Sequence, residues 1–213
     1  MPFPAAIILP TAYFPPISYF VDLIQSSVVL TEQMETFPKQ TYRNRCEIMT
    51  ASGKAKLIVP ISKPHGNHTL TRDIEISYRE PWREQHWKAL LSAYSSSPFF
   101  SYYADMVQPL FTFRETNLLI HNQGILQVVC GLIGIDPRVE LTKDYIKEPL
   151  ELSDYRKKFS PKNKLQVVEF PRYPQVFEHK YGFIPDLSIL DALFNLGPEV
   201  QRYLEKLAVG SWQ

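Results

Sequence analysis

The sequence predicts an α/β fold with a mostly parallel sheet, an inserted β-hairpin and a helical C-terminal half. Three observations carry this. Two short apolar runs, Ala5–Leu9 ("AAIIL") and Val28–Glu32 ("VVLTE"), flank a stretch of helical periodicity. Polar and apolar residues then alternate on both sides of "ASGK", a hairpin signal centred on Gly53. From Pro81 onward the apolar residues recur at helical rather than strand spacing.

The elements follow in order. Ala5–Leu9 is bounded by prolines and reads as a buried strand, and a helix near Ser18–Gln25 leads to the second strand, Val28–Glu32. Strand, helix and strand in so few residues make a βαβ unit, which requires parallel pairing. "IEISY" (Ile74–Tyr78) adds a short strand. Pro81 opens a helix whose Trp87, Leu90, Leu91 and Tyr94 share a face, and Pro98 and Pro109 bracket an aromatic one. Thr116 is placed to cap a third helix, which ends near Gly134, and "RVELT" is a late strand. Tyr145–Lys164 is charged and weakly patterned, as a surface loop would be, within one domain spanning residues 1–213. Two C-terminal helices hinge at Gly197–Pro198.

Composition narrows the function. Lys and Arg together number 23 against 22 Asp and Glu, so no global field draws the chain to nucleic acid or an anionic membrane. The N-terminus has no basic region and its apolar run is broken by proline, which predicts neither a leader nor a membrane span and hence a cytoplasmic protein. Cys46 and Cys130 stand far apart and outside any metal-ligand spacing, and no metal site is expected. Gly-rich phosphate loops of the dinucleotide or P-loop kind are missing.

Four groups of residues could carry chemistry. Lys39, Arg43, Arg45, Lys54 and Lys56 gather around the hairpin against Glu47 alone. In a strand Lys39, Thr41, Arg43 and Arg45 would share a face, where two arginines can grip phosphate bidentately. A solvated charged edge is the other reading. In "LSILDALFNL", Ser188, Asp191 and Asn195 form one polar stripe on an otherwise apolar helix. Such a helix is buried, so the stripe faces either a polar cavity or a structural network. His86 is a potential proton carrier on its helix, or simply a packed histidine. The turn after the first strand, with Tyr13 among prolines, stands where α/β proteins place ligands.

The blocks "LPTAYFPPISYF", "KQTYRNRCEI", "HWKALLSAY", "YPQVF" and "DLSILDALFNLGP" resemble, in content and order, the WbqC-like family. Pro10, Tyr13, Pro15, Tyr42, Arg43, Asn44, Arg45, His86, Trp87, Lys88, Tyr173, Gln175, Leu187, Ser188 and Asp191 match its motifs, with Asn195 and Gly197 following. Ile8 and Leu9 replace the His-Gln that many members carry. The resemblance implies bacterial surface-polysaccharide synthesis, with its enzymes as possible partners. The element order also looks like a Rossmann-like, nucleotidylyltransferase-type fold, although the paired histidines of those enzymes are missing. The expected function is a transferase-like enzyme on an anionic, phosphate-bearing or nucleotide-linked small molecule. Asp191 and His86 would be catalytic. Tyr13, Tyr42, Arg43, Asn44, Arg45, Lys88, Tyr173, Gln175, Ser188 and Asn195 would bind substrate. The rival is a non-catalytic protein that recognises a glycan intermediate or a partner enzyme.

Overall fold

A computed structural model describes residues 6–149, 151–160 and 169–210. Strand β1 (Ala6–Pro10) and strand β2 (Val28–Glu32) pair in parallel, Ala6 opposite Val28 through Pro10 opposite Glu32. Helix α1 (Ile17–Ile24) joins them, as a βαβ unit requires.

Further along, β3 (Arg45–Thr50) and β4 (Gly53–Ile58) form the antiparallel hairpin, and Gly53 supplies the turn with φ of 107°. β5 (Ile61–Ser62) pairs with β6 (Glu75–Ile76), so only the second and third residues of "IEISY" are strand.

Three helices follow: α2 (Trp82–Tyr94), α3 (Phe100–Val107) and α4 (Leu118–Ile133). Pro81 is the residue before α2, one position short of its expected place. Trp82, His86, Leu90, Ala93 and Tyr94 are its buried residues, whereas Leu91 is exposed. Asn117, not Thr116, caps α4 by accepting from the Ile120 N–H.

β7 (Val139–Leu141) and β8 (Ser153–Asp154) complete a four-stranded, all-parallel sheet in the order β7-β2-β1-β8. β8 lies inside the stretch expected to be a surface loop. Two polar residues give no periodic signal, yet β8 pairs with Ile7 and Ile8 and brings the buried Arg156 behind it. Residues 150 and 161–164 of that stretch lie outside the described residues.

Finally, α5 (Glu178–Tyr181) precedes α6 (Ile189–Leu196) and α7 (Val200–Gly210), which meet at a 3₁₀ turn over Gly197–Glu199. α7 packs on α1, and α6 packs on α1, α3 and β3. Asp186 fastens the C-terminal part to the βαβ unit. Its carboxylate accepts from the Ser18 backbone N–H at 2.7 Å and the Ser18 hydroxyl at 2.9 Å, capping the first turn of α1. Burial pushes the Asp186 carboxyl up to about 7 against the pull of these two bonds.

Candidate functional site

Chain segments leaving the carboxyl ends of three parallel strands surround a cavity of about 660 Å³. Met34, Glu35, Thr36 and Pro38 follow β2, Tyr145 follows β7, and Arg156, Lys157, Phe159 and Ser160 follow β8. Thr41 and Arg43, just ahead of the hairpin, close the circle. In open α/β sheets this end of the strands is the customary ligand position, because diverging connections leave a crevice there.

Its polar floor is built from ion pairs around two buried arginines. Arg43, 2% exposed, places Nε at 2.7 Å and Nη2 at 2.6 Å from Oε1 of Glu35. The same Nη2 donates to the Arg156 carbonyl at 3.2 Å. Arg156 forks onto Asp154, with Nε 2.9 Å from Oδ1 and Nη2 2.6 Å from Oδ2. Its Nη1 reaches Glu32, a wholly buried residue, at 3.1 Å. Glu32 also accepts from the Thr142 hydroxyl and the Met34 N–H, so one carboxylate ties the ends of β2, β7 and β8 together. Tyr145 lies over the Arg156 guanidinium at 5.1 Å. Burial raises the Glu35 carboxyl, with Arg43 pulling it down, and burial lowers the Arg43 guanidinium.

The residues singled out from sequence divide among three places. Arg43 lines the cavity. The shared strand face expected for Lys39 through Arg45 does not form, because Tyr42–Asn44 is a 3₁₀ turn, whose first N–H groups need a cap, and Thr41 accepts from the Arg43 N–H there. Strand alternation begins only at Arg45. Asn44 instead clips the far end of the hairpin, donating to the Val59 carbonyl at 2.9 Å. The Tyr42 carbonyl receives the Tyr13 N–H at 2.9 Å, and burial, with the nearby Glu47 carboxylate adding to it, pushes the Tyr42 phenol up.

A second place is an enclosed ring cluster. Tyr13 Oη lies 2.9 Å from His86 Nδ1. The His121 ring stacks on Tyr13, and the Trp82 ring meets both histidines edge-on. Burial takes His86 and His121 down to about 4, so both rings are neutral at pH 7. The buried Nε atom of Arg45 has no hydrogen-bond partner, and the same holds for Trp82 Nε1 and His121 Nε2. Lys88, two residues beyond His86, points into solvent.

The third place is the polar stripe. Ser188, Asp191 and Asn195 are 2%, 1% and 6% exposed. Asp191 Oδ1 accepts from Tyr94 at 3.1 Å, and Oδ2 accepts from Tyr173 at 2.6 Å and Gln175 Nε2 at 2.8 Å. Ser188 donates to the Phe14 carbonyl, and Asn195 donates to the Asp191 carbonyl. Tyr42 and Arg45, expected with Asp191 in one substrate site, give it no hydrogen bond among the described residues. Nor does any hydrogen bond or ion pair join Asp191 to Arg45 or His86 among the described residues. Neither Asp191 nor His86 lines the cavity at the strand ends.

Sequence reasoning missed Glu32, Glu35 and Arg156. Glu32 stood in view as the last residue of a predicted strand. Glu35 and Arg156 lie in connections without periodicity, and only the parallel pairing of β8 brings Arg156 to Glu32. Among the described residues no group of three or more His, Cys, Asp or Glu could hold a metal, and no helix is long and apolar enough to cross a membrane.

The chain is similar over nearly its full length to Rv1507c of Mycobacterium tuberculosis (strain ATCC 25618 / H37Rv), described as an uncharacterized protein. The two are 28% identical over 225 residues, 92% of this chain and 96% of that one. No solved structure matches, so the likeness to nucleotidylyltransferases stays one of element order. The profile of the WbqC-like protein family matches residues 11–158, a span that holds β1's exit, the hairpin, Glu35, Arg43 and Arg156. On that match, which covers more than half of its 213 residues, the chain belongs to the WbqC-like protein family.

Proposed function

We propose that the protein binds a phosphate-bearing, activated small molecule in the cavity at the strand ends and transfers a group from it. The observation that carries this reading is the cavity wall itself, where Arg43, Arg156 and Lys157 converge beside Tyr145 and Phe159. Carboxylates hold both arginines rigidly, so their geometry is set before a ligand arrives. Fixed guanidinium groups suit a leaving phosphate, whose charge grows as the bond to it breaks. The flat rings of Tyr145 and Phe159 offer stacking surface for a sugar or base. The family resemblance supports surface-polysaccharide synthesis as the setting.

A non-catalytic binding role is the second reading, and one observation favours it. The two residues expected to move protons are enclosed elsewhere: Asp191 is held by three donors and His86 by Tyr13. A thermal-shift screen of nucleotides, nucleotide sugars and sugar phosphates tests binding. A ligand of the folded state at a hundred times its Kd adds about 2.7 kcal/mol of stability. Lys157→Ala and Tyr145→Ala change exposed side chains and should shrink that shift. If no phosphate compound shifts the wild type, or both variants respond fully, the reading is wrong. Product analysis by mass spectrometry on any hit separates transfer from binding alone.

A further inference from the structure

We infer that the ligand of this cavity carries an ammonium group beside its phosphate, and that Glu35 reads the ammonium. The inference rests on the binding site proposed above and specifies its substrate class as an amino-sugar phosphate or a nucleotide derivative of one.

The argument begins with how Arg43 and Glu35 meet. The Arg43 Nε hydrogen bond, the Arg43 Nη2 ion-pair contact, and the longer hydrogen bond from the Thr71 hydroxyl at 3.5 Å all fall on Oε1. Oε2 takes no hydrogen bond from any described residue, and neither does Arg43 Nη1 give one. Neither atom is among the enclosed, unpartnered atoms, although both residues line the cavity, so both remain reachable from it. The pair is therefore off-centre. It leaves a cationic donor and an anionic acceptor side by side at the wall.

Charge balance points the same way. Glu32, Glu35 and Asp154 stand against Arg43, Arg156 and Lys157, three of each sign at the cavity wall and directly behind it. A polyanion alone would find its attraction largely cancelled by the three carboxylates. A ligand with charges of both signs meets a complement for each. An ionised carboxylate only accepts, so whatever meets Oε2 must donate. An ammonium also supplies the countercharge that a half-paired, largely buried carboxylate lacks.

Glucosamine 1-phosphate and glucose 1-phosphate differ only in ammonium against hydroxyl at one carbon. Calorimetric titration of the full chain with each, and with inorganic phosphate, tests the inference. The wild type should bind glucosamine 1-phosphate about ten-fold or more tightly than glucose 1-phosphate, the scale of one charge-assisted hydrogen bond. Glu35→Gln should erase the preference, lowering glucosamine 1-phosphate affinity by more than that of glucose 1-phosphate, which also weakens because Arg43 loses the carboxylate that fixes it. Lys157→Ala should weaken both sugar phosphates alike. Glu35→Asp keeps a charge opposite Arg43, and it should reduce the preference without abolishing it if the glutamine variant does not fold. Equal affinities in the wild type, or a preference that survives in Glu35→Gln, would overturn the assignment and leave phosphate binding standing. If none of the three phosphates binds, the binding site itself is refuted and the inference with it.

Discussion

Replacing Asp191 by alanine removes the acceptor from three enclosed donors at once. The Tyr94 and Tyr173 hydroxyls and the Gln175 amide all point at its two oxygens. Gln175 cannot turn to compensate, because its Oε1 accepts from the Ile184 N–H and its Nε2 also donates to the Ile184 carbonyl. Each stranded donor costs about 1–3 kcal/mol. Against this, the variant no longer buries a carboxylate, whose own desolvation is visible as a raised pKa. The net loss should be about 2–4 kcal/mol, or roughly 5–15 °C in Tm for a chain of this size. Asp191→Asn keeps one acceptor oxygen and the shape, and should lose about 1–2 kcal/mol. Urea denaturation at pH 7 measures both. Neither substitution should alter the response to a sugar phosphate beyond what lower stability explains, because the stripe does not line the cavity. An alanine variant as stable as the wild type would refute the structural role. So would a stable variant that had lost only its ligand response, which would place the stripe in a site.

Other outcomes follow from particular residues. Asp186 has a folded pKa raised to about 7, above its unfolded value, so its contribution is full at acid pH and is lost as pH rises through 7. Asp186→Asn should flatten that part of a Tm-against-pH curve; an unchanged slope would contradict the assignment. His86 and His121 have folded values lowered to about 4, so they stabilise above the unfolded value of about 6.5 and lose that contribution as pH falls through 4. His86→Gln should therefore lessen acid destabilisation between those values, a comparison best made in the Asp186→Asn background, where the opposing slope is removed. Gly197→Ala would set a Cβ 2.5 Å from the Phe99 ring at a φ of 58°, and equilibrium unfolding should show a loss of about 2–4 kcal/mol. A loss below ~1 kcal/mol would mean that the hinge is not fixed as described.

Much of the fold was legible because its signals are local. Ala6–Leu9 and Val28–Glu32 are rich in apolar residues since both belong to a sheet flanked by packed elements, and the helix between them permits only parallel pairing. The polar stripe on α6 was legible by composition, since short hydrogen-bonding side chains on an apolar helix predict enclosure, and all three residues are enclosed. The identity of its partners was not legible. Tyr94 and Tyr173 come from distant segments that nothing in the period of α6 names. β8 escaped notice because two residues cannot show alternation, and with it went Arg156. The run from Lys39 to Arg45 misled for a different reason. Its alternating composition suits a strand, but the 3₁₀ turn at Tyr42–Asn44 sends Arg43 toward Glu35 and leaves Arg45 on the hairpin.

The central claim is that the cavity at the carboxyl ends of the parallel strands is where the protein meets its ligand. A titration of ¹⁵N-labelled protein with glucosamine 1-phosphate, followed by amide chemical shifts, tests it most directly. The account predicts saturable shifts at Glu35, Thr36, Thr41, Arg43, Tyr145 and Arg156–Phe159, with the amides around Asp191 and His86 unmoved. Shifts centred on Asp191 or His86, or none at all at millimolar ligand, would contradict it.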